Sequence, residues 1–144
     1  RVVSDWSSDV CSSDLLNAAD TEFEAWAGTQ DIATKTMFAG SDGYASTAPV
    51  GQFPAGQSAY GVFDLAGNVW EWTQDWYAPY DAGEFTNPTG PTEGTERVIR
   101  GGAFNGEDPT WLNPAWRYRE APERYSHAIG FRCAAGTVSH AVAK

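Results

Sequence analysis

Acidic side chains occur in a glycine-containing stretch whose spacing suits a hard cation. Asp64 and Glu71 stand on either side of the Gly67-Asn68 pair, a turn that can direct the backbone carbonyls of Gly67 and Val69 toward one point. Calcium takes about six to eight oxygen ligands and readily combines carboxylates with backbone carbonyls. The spacing therefore indicates a candidate calcium site, although a solvated strand position for Glu71 explains the same residues without a metal.

Aromatic side chains form a second candidate site. Trp111, Trp116 and Tyr118 lie in a long polar segment, where their rings could stack on a sugar or contact a peptide. Trp70 and Trp72 alternate with polar residues, and this period of two predicts a strand with both rings on one face. Because aromatic residues in such strands usually belong to the core, only the first three residues define a candidate recognition loop.

Residue types that carry catalysis are scarce. The chain has two cysteines, two histidines and one methionine. His127 and His140 do not make the pair of histidines and a carboxylate that binds non-haem iron. No glycine-rich phosphate loop, Ser-His-Asp arrangement or zinc-ligand spacing is present. The sequence therefore supports neither a hydrolase nor a nucleotide-binding protein, and no residue is assigned a catalytic role.

The elements that must position these residues are short. A capping-box pair, Thr21 and Glu24, predicts a helix over residues 21–28. Alternation and turn residues predict three strands, at residues 69–73, 98–102 and 129–134. Glycine and proline interrupt the intervening segments, which are predicted to be loops. Arg100 and Arg132 lie in the strand motifs, where we expect each to form a buried bidentate pair with a carboxylate.

Length and charge limit the class of protein. The 144 residues suffice for one domain, and 42% hydrophobic with 14% aromatic residues are enough to build a core. A net charge of −10 argues against nucleic acid or an anionic membrane surface as partner. No apolar run of about 18 residues is present, so no membrane-spanning helix is predicted.

The first fifteen residues differ from the rest of the chain. Residues 5–15 read DWSSDVCSSDL, which resembles the translation of a common short-read sequencing adapter. We therefore expect residues 1–15 to be an artefactual, non-native segment, with a natural Ser/Asp linker as the alternative. Residues 16–136 are then the domain, and residues 137–144 are predicted to be a disordered tail. The natural protein is expected to extend further at its N-terminus, so localisation is not indicated.

Four segments together resemble the C-terminal half of the formylglycine-generating enzyme family, or sulfatase-modifying factor domain. They are DGYASTAPV at residues 42–50, YGVFDLAGNVWEW at 60–72, RVIRGG at 97–102 and GFRCA at 130–134. The resemblance implies an α+β fold, a variant of the C-type-lectin-like fold with little regular secondary structure, a small antiparallel sheet and long loops. The family's N-terminal half is missing, so the domain is expected to be truncated.

The resemblance also implies two structural calcium sites. The ligands of the first carry over to Asp64, Gly67, Val69 and Glu71. Those of the second carry over to Asn17, Ala18, Asp42 and Tyr44, where the ion would join two loops. The alternative for the second site is that Asp42 only caps a turn. Cys133 matches a position that pairs, in relatives, with a cysteine of the N-terminal half.

The redox metal of the family is the point at which this chain departs from the pattern. In formylglycine-generating relatives, two cysteines shortly after the RGG turn bind copper(I), which prefers soft thiolates. Residues 103–116 contain no Cys, Met or His, so copper is not expected. Another branch of the family uses non-haem iron held largely by histidines of a separate domain. The chain is thus interpreted as part of a non-haem iron oxidoreductase whose metal ligands lie elsewhere, acting on a peptide or small-molecule substrate. The alternative is a non-catalytic, lectin-like module that binds a peptide or glycan.

Overall fold

A computed structural model describes residues 14–80, 83, 88 and 90–134. Within them the regular elements are the helix α1 (Thr21–Thr29) and the strands β1 (Trp70–Trp76), β2 (Arg97–Arg100), β3 (Tyr118–Glu120) and β4 (Ile129–Gly130). Single turns of 3-10 helix occupy Pro54–Gly56 and Pro109–Leu112. The predicted combination of few elements and long loops is confirmed. In the described ranges no helix is long and apolar enough to cross a membrane.

The four strands form one mixed sheet in the order β3-β2-β1-β4. The β1–β2 and β2–β3 pairs are antiparallel, whereas β4 runs parallel to β1, with Ile129 opposite Trp70. The prediction of a purely antiparallel sheet is therefore wrong at this edge. Alternation of side chains predicts that a segment is extended but does not fix its direction. Here the direction is set by the connection after β3, which brings the chain to the far side of β1.

The N-terminus of α1 is capped by Asp20 rather than by the predicted Thr21 and Glu24 pair. The Asp20 carboxylate accepts hydrogen bonds from the backbone N–H groups of Glu22 and Phe23, at 3.0 and 3.2 Å. These are two of the donors that every helix leaves unpaired at its first turn. The helix continues through Gly28 to Thr29 and buries Phe23 on the core side.

The core lies between α1, the inner sheet strands and the segment after β2. Ile99 of β2 is 1% exposed, and Trp70, Phe23 and Phe104 belong to the same buried cluster. The Phe23 and Phe104 rings meet edge to face with centroids 5.8 Å apart. Trp72 is partly buried against this cluster, so the predicted core placement of both β1 tryptophans is confirmed. The packing holds the residues before α1 against the turn that precedes β1.

Candidate functional site

The residues predicted to form the second calcium site are adjacent in the structure. One oxygen of the Asp42 carboxylate accepts a hydrogen bond from the Ala18 N–H at 3.0 Å, and the other accepts one from the Tyr44 N–H at 2.9 Å. The N–H of Asp42 in turn donates to the Asp20 carboxylate at 2.6 Å. The segment before α1 and the loop at residues 42–44 are thus joined through carboxylates.

Asn17 contributes a buried oxygen without a partner. Its side chain is 1% exposed, and its Nδ2 donates to the Ser46 carbonyl at 2.7 Å and to Asn68 Oδ1 at 3.3 Å. Its Oδ1 is buried and accepts no hydrogen bond. A buried acceptor left unpaired costs about 1–3 kcal/mol. A cation bound at Oδ1 would remove that cost, and amide oxygen is a ligand that calcium accepts.

Asp20, Glu22 and Asp42 form a cluster of three acids next to these residues. Carboxylate oxygens from the three side chains lie within 4.8 Å of one another, the one group of this kind in the part of the chain that the structure describes. The pKa of Asp42 is raised to about 6, chiefly by burial and in smaller part by the charges of Asp20 and Glu22, against the lowering effect of the Tyr44 and Ala18 hydrogen bonds. The cluster therefore carries an electrostatic cost that a divalent cation would offset. The sequence analysis missed Asp20 and Glu22, because nothing in their local pattern indicates that they meet residue 42.

At the first predicted calcium site, Asp64 and Glu71 meet through an arginine that already binds both. Both carboxylate oxygens of Glu71 accept hydrogen bonds from Arg132. The same guanidinium donates to the backbone carbonyls of Phe63 at 2.9 Å and Asp64 at 2.7 Å. The Glu71 hydrogen bond raises the pKa of Arg132 above its ordinary value. The predicted bidentate pair for Arg132 is confirmed, but it is not buried, because the Arg132 side chain keeps 36% of its surface exposed. A cation at Glu71 would have to compete with that guanidinium.

The turn between Asp64 and Glu71 connects the two predicted sites. The Gly67 N–H donates to the Gly101 carbonyl and the Asn68 N–H to the Asn17 carbonyl, each at 2.8 Å. Gly67 has φ +78°, and a Cβ at this position would overlap the Asn17 carbonyl oxygen. The Asp64 carboxylate accepts a hydrogen bond from the Gly51 N–H at 2.7 Å. Glycine is therefore required at position 67 both for its backbone conformation and for the close approach of the two segments.

The three residues of the predicted recognition loop have different environments. Trp111 is partly buried against the core, with its ring centroid 5.9 Å from that of Trp70. Trp116 and Tyr118 keep 41% and 45% of their surface exposed. Tyr118 begins β3, which lies in a segment that the sequence analysis predicted to be irregular. Only these last two rings are available to a ligand.

Arg100 does not form the predicted pair with a carboxylate. Its Nη1 donates to the backbone carbonyls of Pro114 and Trp116, at 2.8 and 3.2 Å, and its Nη2 donates to the Tyr80 hydroxyl at 3.3 Å. The prediction is wrong because the loop after the 3-10 turn brings carbonyl oxygens, rather than an acid, to this edge of β2. Among the described residues no carboxylate forms an ion pair with this guanidinium, which lies beside the exposed Tyr80.

The described residues offer no redox-metal site. The segment after β2 buries Ala103 and Phe104 and supplies no thiol. Cys133 is a free, exposed cysteine at the end of the described chain. The imidazole of His127 lies against the Phe104 ring, with centroids 5.8 Å apart. Neither copper(I) nor non-haem iron fits these ligands, since the first needs soft donors and the second a group of histidines and carboxylate.

Comparison with known proteins places this arrangement in a family. The model of the sulfatase-modifying factor enzyme 1-like domain matches residues 8–137. The chain therefore belongs to this family, which is the class that the sequence motifs indicate.

Individual relatives match only in part. The formylglycine-generating enzyme of Mus musculus is 42% identical over 103 residues, which are 67% of this chain and 26% of that protein. The hercynine oxygenase of Mycolicibacterium smegmatis is 34% identical over 132 residues, which are 86% of this chain and 30% of that protein. The chain thus spans about a quarter to a third of the length of these relatives.

Two solved structures share the fold. Treponema denticola variable protein 1 superposes with a TM-score of 0.56 and 29% sequence identity, over 78% of this chain and 45% of that one. PvdO from Pseudomonas aeruginosa superposes with a TM-score of 0.55 and 28% identity, over 83% of this chain and 38% of that one. These neighbours agree with an α+β fold of the formylglycine-generating-enzyme type.

Proposed function

We propose that this chain is part of a formylglycine-generating-enzyme-like oxidoreductase that works without the copper–thiolate centre. The observation that carries the proposal is the segment after the Gly101-Gly102 turn, in which residues 103–116 contain no soft ligand. Copper(I) is poorly held by the carboxylates and amides that remain. The catalytic metal is then non-haem iron bound by residues outside this chain. In finer detail, the fold is proposed to be the C-type-lectin-like variant.

The extent of the matches supports this choice. The match to the hercynine oxygenase covers 86% of the chain, whereas the match to the mouse formylglycine-generating enzyme covers 67%. Both of these relatives are named as enzymes, which favours the enzyme over a binding module. The described residues supply the scaffold and a surface for a peptide or small-molecule substrate, and no reaction step is assigned to them.

Metal retention tests the proposal. The protein that carries this chain is loaded anaerobically with iron(II) or copper(I), dialysed, and analysed for both metals. We expect iron to be retained at about one ion per protein and copper to be lost, because residues 103–116 contain no thiolate. Stoichiometric copper would refute the choice of metal. Retention of neither metal would favour a non-catalytic module.

We propose in addition that the domain binds structural calcium at Asn17, Ala18, Asp42 and Tyr44. The unpartnered Asn17 Oδ1 and the three clustered carboxylates support this site. A second ion is proposed at Asp64, Gly67, Val69 and Glu71, where binding requires Arg132 to release at least one Glu71 oxygen. Calorimetric titration counts the ions. Asp42→Asn and Glu71→Gln should each abolish one binding event, and a wild-type protein that binds no calcium would contradict both sites.

A further inference from the structure

A concave surface apart from the acid cluster collects arginine and tyrosine side chains. It is a cavity of about 620 Å³ between the chain that follows β1 and the strand β3. This volume falls in the range of small-molecule sites, about 300–1,000 Å³. We call it the arginine–tyrosine groove, and the residues used below are Tyr77, Tyr80, Trp116, Arg117 and Arg119.

The guanidinium groups in this groove are held by stacking on tyrosine rings. The Arg117 guanidinium carbon lies 3.4 Å from the centroid of the Tyr80 ring and 5.3 Å from that of Tyr77. The Arg119 guanidinium carbon lies 4.5 Å from the Tyr77 ring on the same wall. Stacking holds the plane of a guanidinium while leaving its N–H groups, which point outward in that plane, able to donate hydrogen bonds.

Arg117 has donors that the described residues do not use. Its Nη2 donates to the Ala78 carbonyl at 2.9 Å, while its Nε is buried and has no hydrogen-bond partner. A guanidinium has five N–H donors, so most of its capacity remains. Among the described residues no carboxylate lies within ion-pair distance of Arg117. The same is true of Arg100, which donates a hydrogen bond to the hydroxyl of Tyr80.

The charges around the groove limit what it can accept. Arg119 is paired with Glu96 at 3.2 Å, and Glu120 also lines the cavity. These carboxylates would repel a ligand that carries many negative charges. A single anionic group placed at Arg117 would meet a cation that no carboxylate of the described residues neutralises.

We propose that the arginine–tyrosine groove binds the oxyanion of a small ligand, a carboxylate, sulfate or phosphate group, through Arg117. Carboxylates and tetrahedral oxyanions match the paired N–H donors of a guanidinium. Tyr80 and Trp116 provide aromatic surface for the remainder of the ligand, and both are exposed. This site does not depend on calcium, because none of the proposed calcium ligands lines the groove. It does not depend on the proposed redox chemistry either, because that metal is proposed to be bound outside this chain.

The binding test uses the protein that carries this chain, labelled with ¹⁵N-arginine. Acetate, sulfate and phosphate are added separately at constant ionic strength, with chloride as the reference, because exposed charges are screened by salt. The Nε–H resonance that disappears in Arg117→Lys identifies Arg117. We expect that resonance to shift saturably with at least one of the three anions. The response to acetate, as against sulfate and phosphate, distinguishes a carboxylate ligand from a tetrahedral one.

Substitutions measured by calorimetry complete the test. Arg117→Lys keeps the charge but loses the paired donors, so the affinity for the responding anion should fall about tenfold or more. Tyr80→Ala removes the stacking surface and should also weaken binding; Tyr80 is 67% exposed, so the fold should tolerate this change. Arg124→Lys, at an exposed arginine outside the groove, is the matched control and should leave the affinity unchanged. The proposal is overturned if no anion shifts the Arg117 resonance more than chloride, or if Arg117→Lys and Tyr80→Ala both bind the anion like wild type.

Discussion

The substitution Asp42→Asn removes one negative charge from the acid cluster but should leave the turn at residues 42–44 in place. The asparagine Oδ1 can still accept the hydrogen bond that Asp42 receives from the Tyr44 N–H, so the turn should persist. The oxygen that accepts from the Ala18 N–H is replaced by an NH₂ group. We therefore expect the calcium-free variant to fold and to lose its affinity for calcium, because the site loses a negative charge and a ligand oxygen.

The size of the effect follows from linkage. Calcium at a hundred times its dissociation constant stabilises the folded protein by about 2.7 kcal/mol. For a domain of about 150–250 residues this corresponds to roughly 5–10 °C in Tm. If the substitution weakens binding about a hundredfold, the same calcium concentration gives about 0.4 kcal/mol, or roughly 1–2 °C.

The assay compares thermal unfolding in chelator and in calcium, near neutral pH, for the protein that carries this chain. Asp108→Asn is the matched control, since the Asp108 carboxylate accepts a hydrogen bond from the Thr110 N–H at 2.9 Å in a similar turn but lies outside the acid cluster. Its calcium-dependent increase in Tm should equal that of wild type. An Asp42→Asn variant with the full wild-type increase would refute the role assigned to this carboxylate.

Two further predictions concern the same region. In chelator, the contribution of Asp42 to the free energy of unfolding should fall as pH rises from about 4 to about 6. The reason is that its pKa is raised from 3.8 to about 6 in the folded protein, so the folded state binds an extra proton that it must release over this range. Denaturant titrations of wild type and Asp42→Asn at several pH values measure this contribution as the difference between the two proteins. Gly67→Ala should lower the free energy of unfolding by at least about 2 kcal/mol, because it combines a left-handed backbone with a collision against the Asn17 carbonyl; denaturant unfolding measures the loss.

Each of these has its own control. Gly43 also has a positive φ, +86°, but a Cβ there meets nothing within 4 Å. Gly43→Ala should therefore cost only the backbone term, about 1–2 kcal/mol, and an equal loss at both positions would contradict the close contact assigned to Gly67. A difference between wild type and Asp42→Asn that does not change with pH would mean that burial does not raise the pKa of this carboxyl.

The parts of the fold that were predictable are those whose pattern is local. Trp70 and Trp72 alternate with polar residues and follow a turn, so β1 could be placed, and Gly101 with Gly102 marks the turn after β2. Strand β3 was missed because it has three residues with little burial, and it is extended because it pairs with β2. Its environment is created by the tertiary fold rather than by its own sequence.

Residue types and spacing alone indicated a candidate metal site only where one short motif contains the ligands, as at Asp64 and Glu71; the residues of the second site, on two segments, came from the family resemblance. Asp20 and Glu22 meet Asp42 from about 20 residues away in the sequence. The helix cap was predicted at Thr21 rather than at Asp20, whose carboxylate is held in place by the N–H of the distant Asp42. The partner of Arg100 depends on where the loop at residues 114–116 places its carbonyl oxygens. Contacts of this kind are determined by packing, which the residue types alone do not specify.

The most direct test of the central claim is incubation of the protein that carries this chain with a Cys-x-Pro-x-Arg peptide, oxygen and a thiol reductant, with and without copper. Conversion of the cysteine to formylglycine replaces a thiol by an aldehyde and lowers the mass of the peptide, so mass spectrometry detects it. Because residues 103–116 lack thiolates for copper(I), we predict no conversion under either condition. Copper-dependent conversion that is lost in Cys133→Ser would contradict this account, since Cys133 would then be a ligand of the metal.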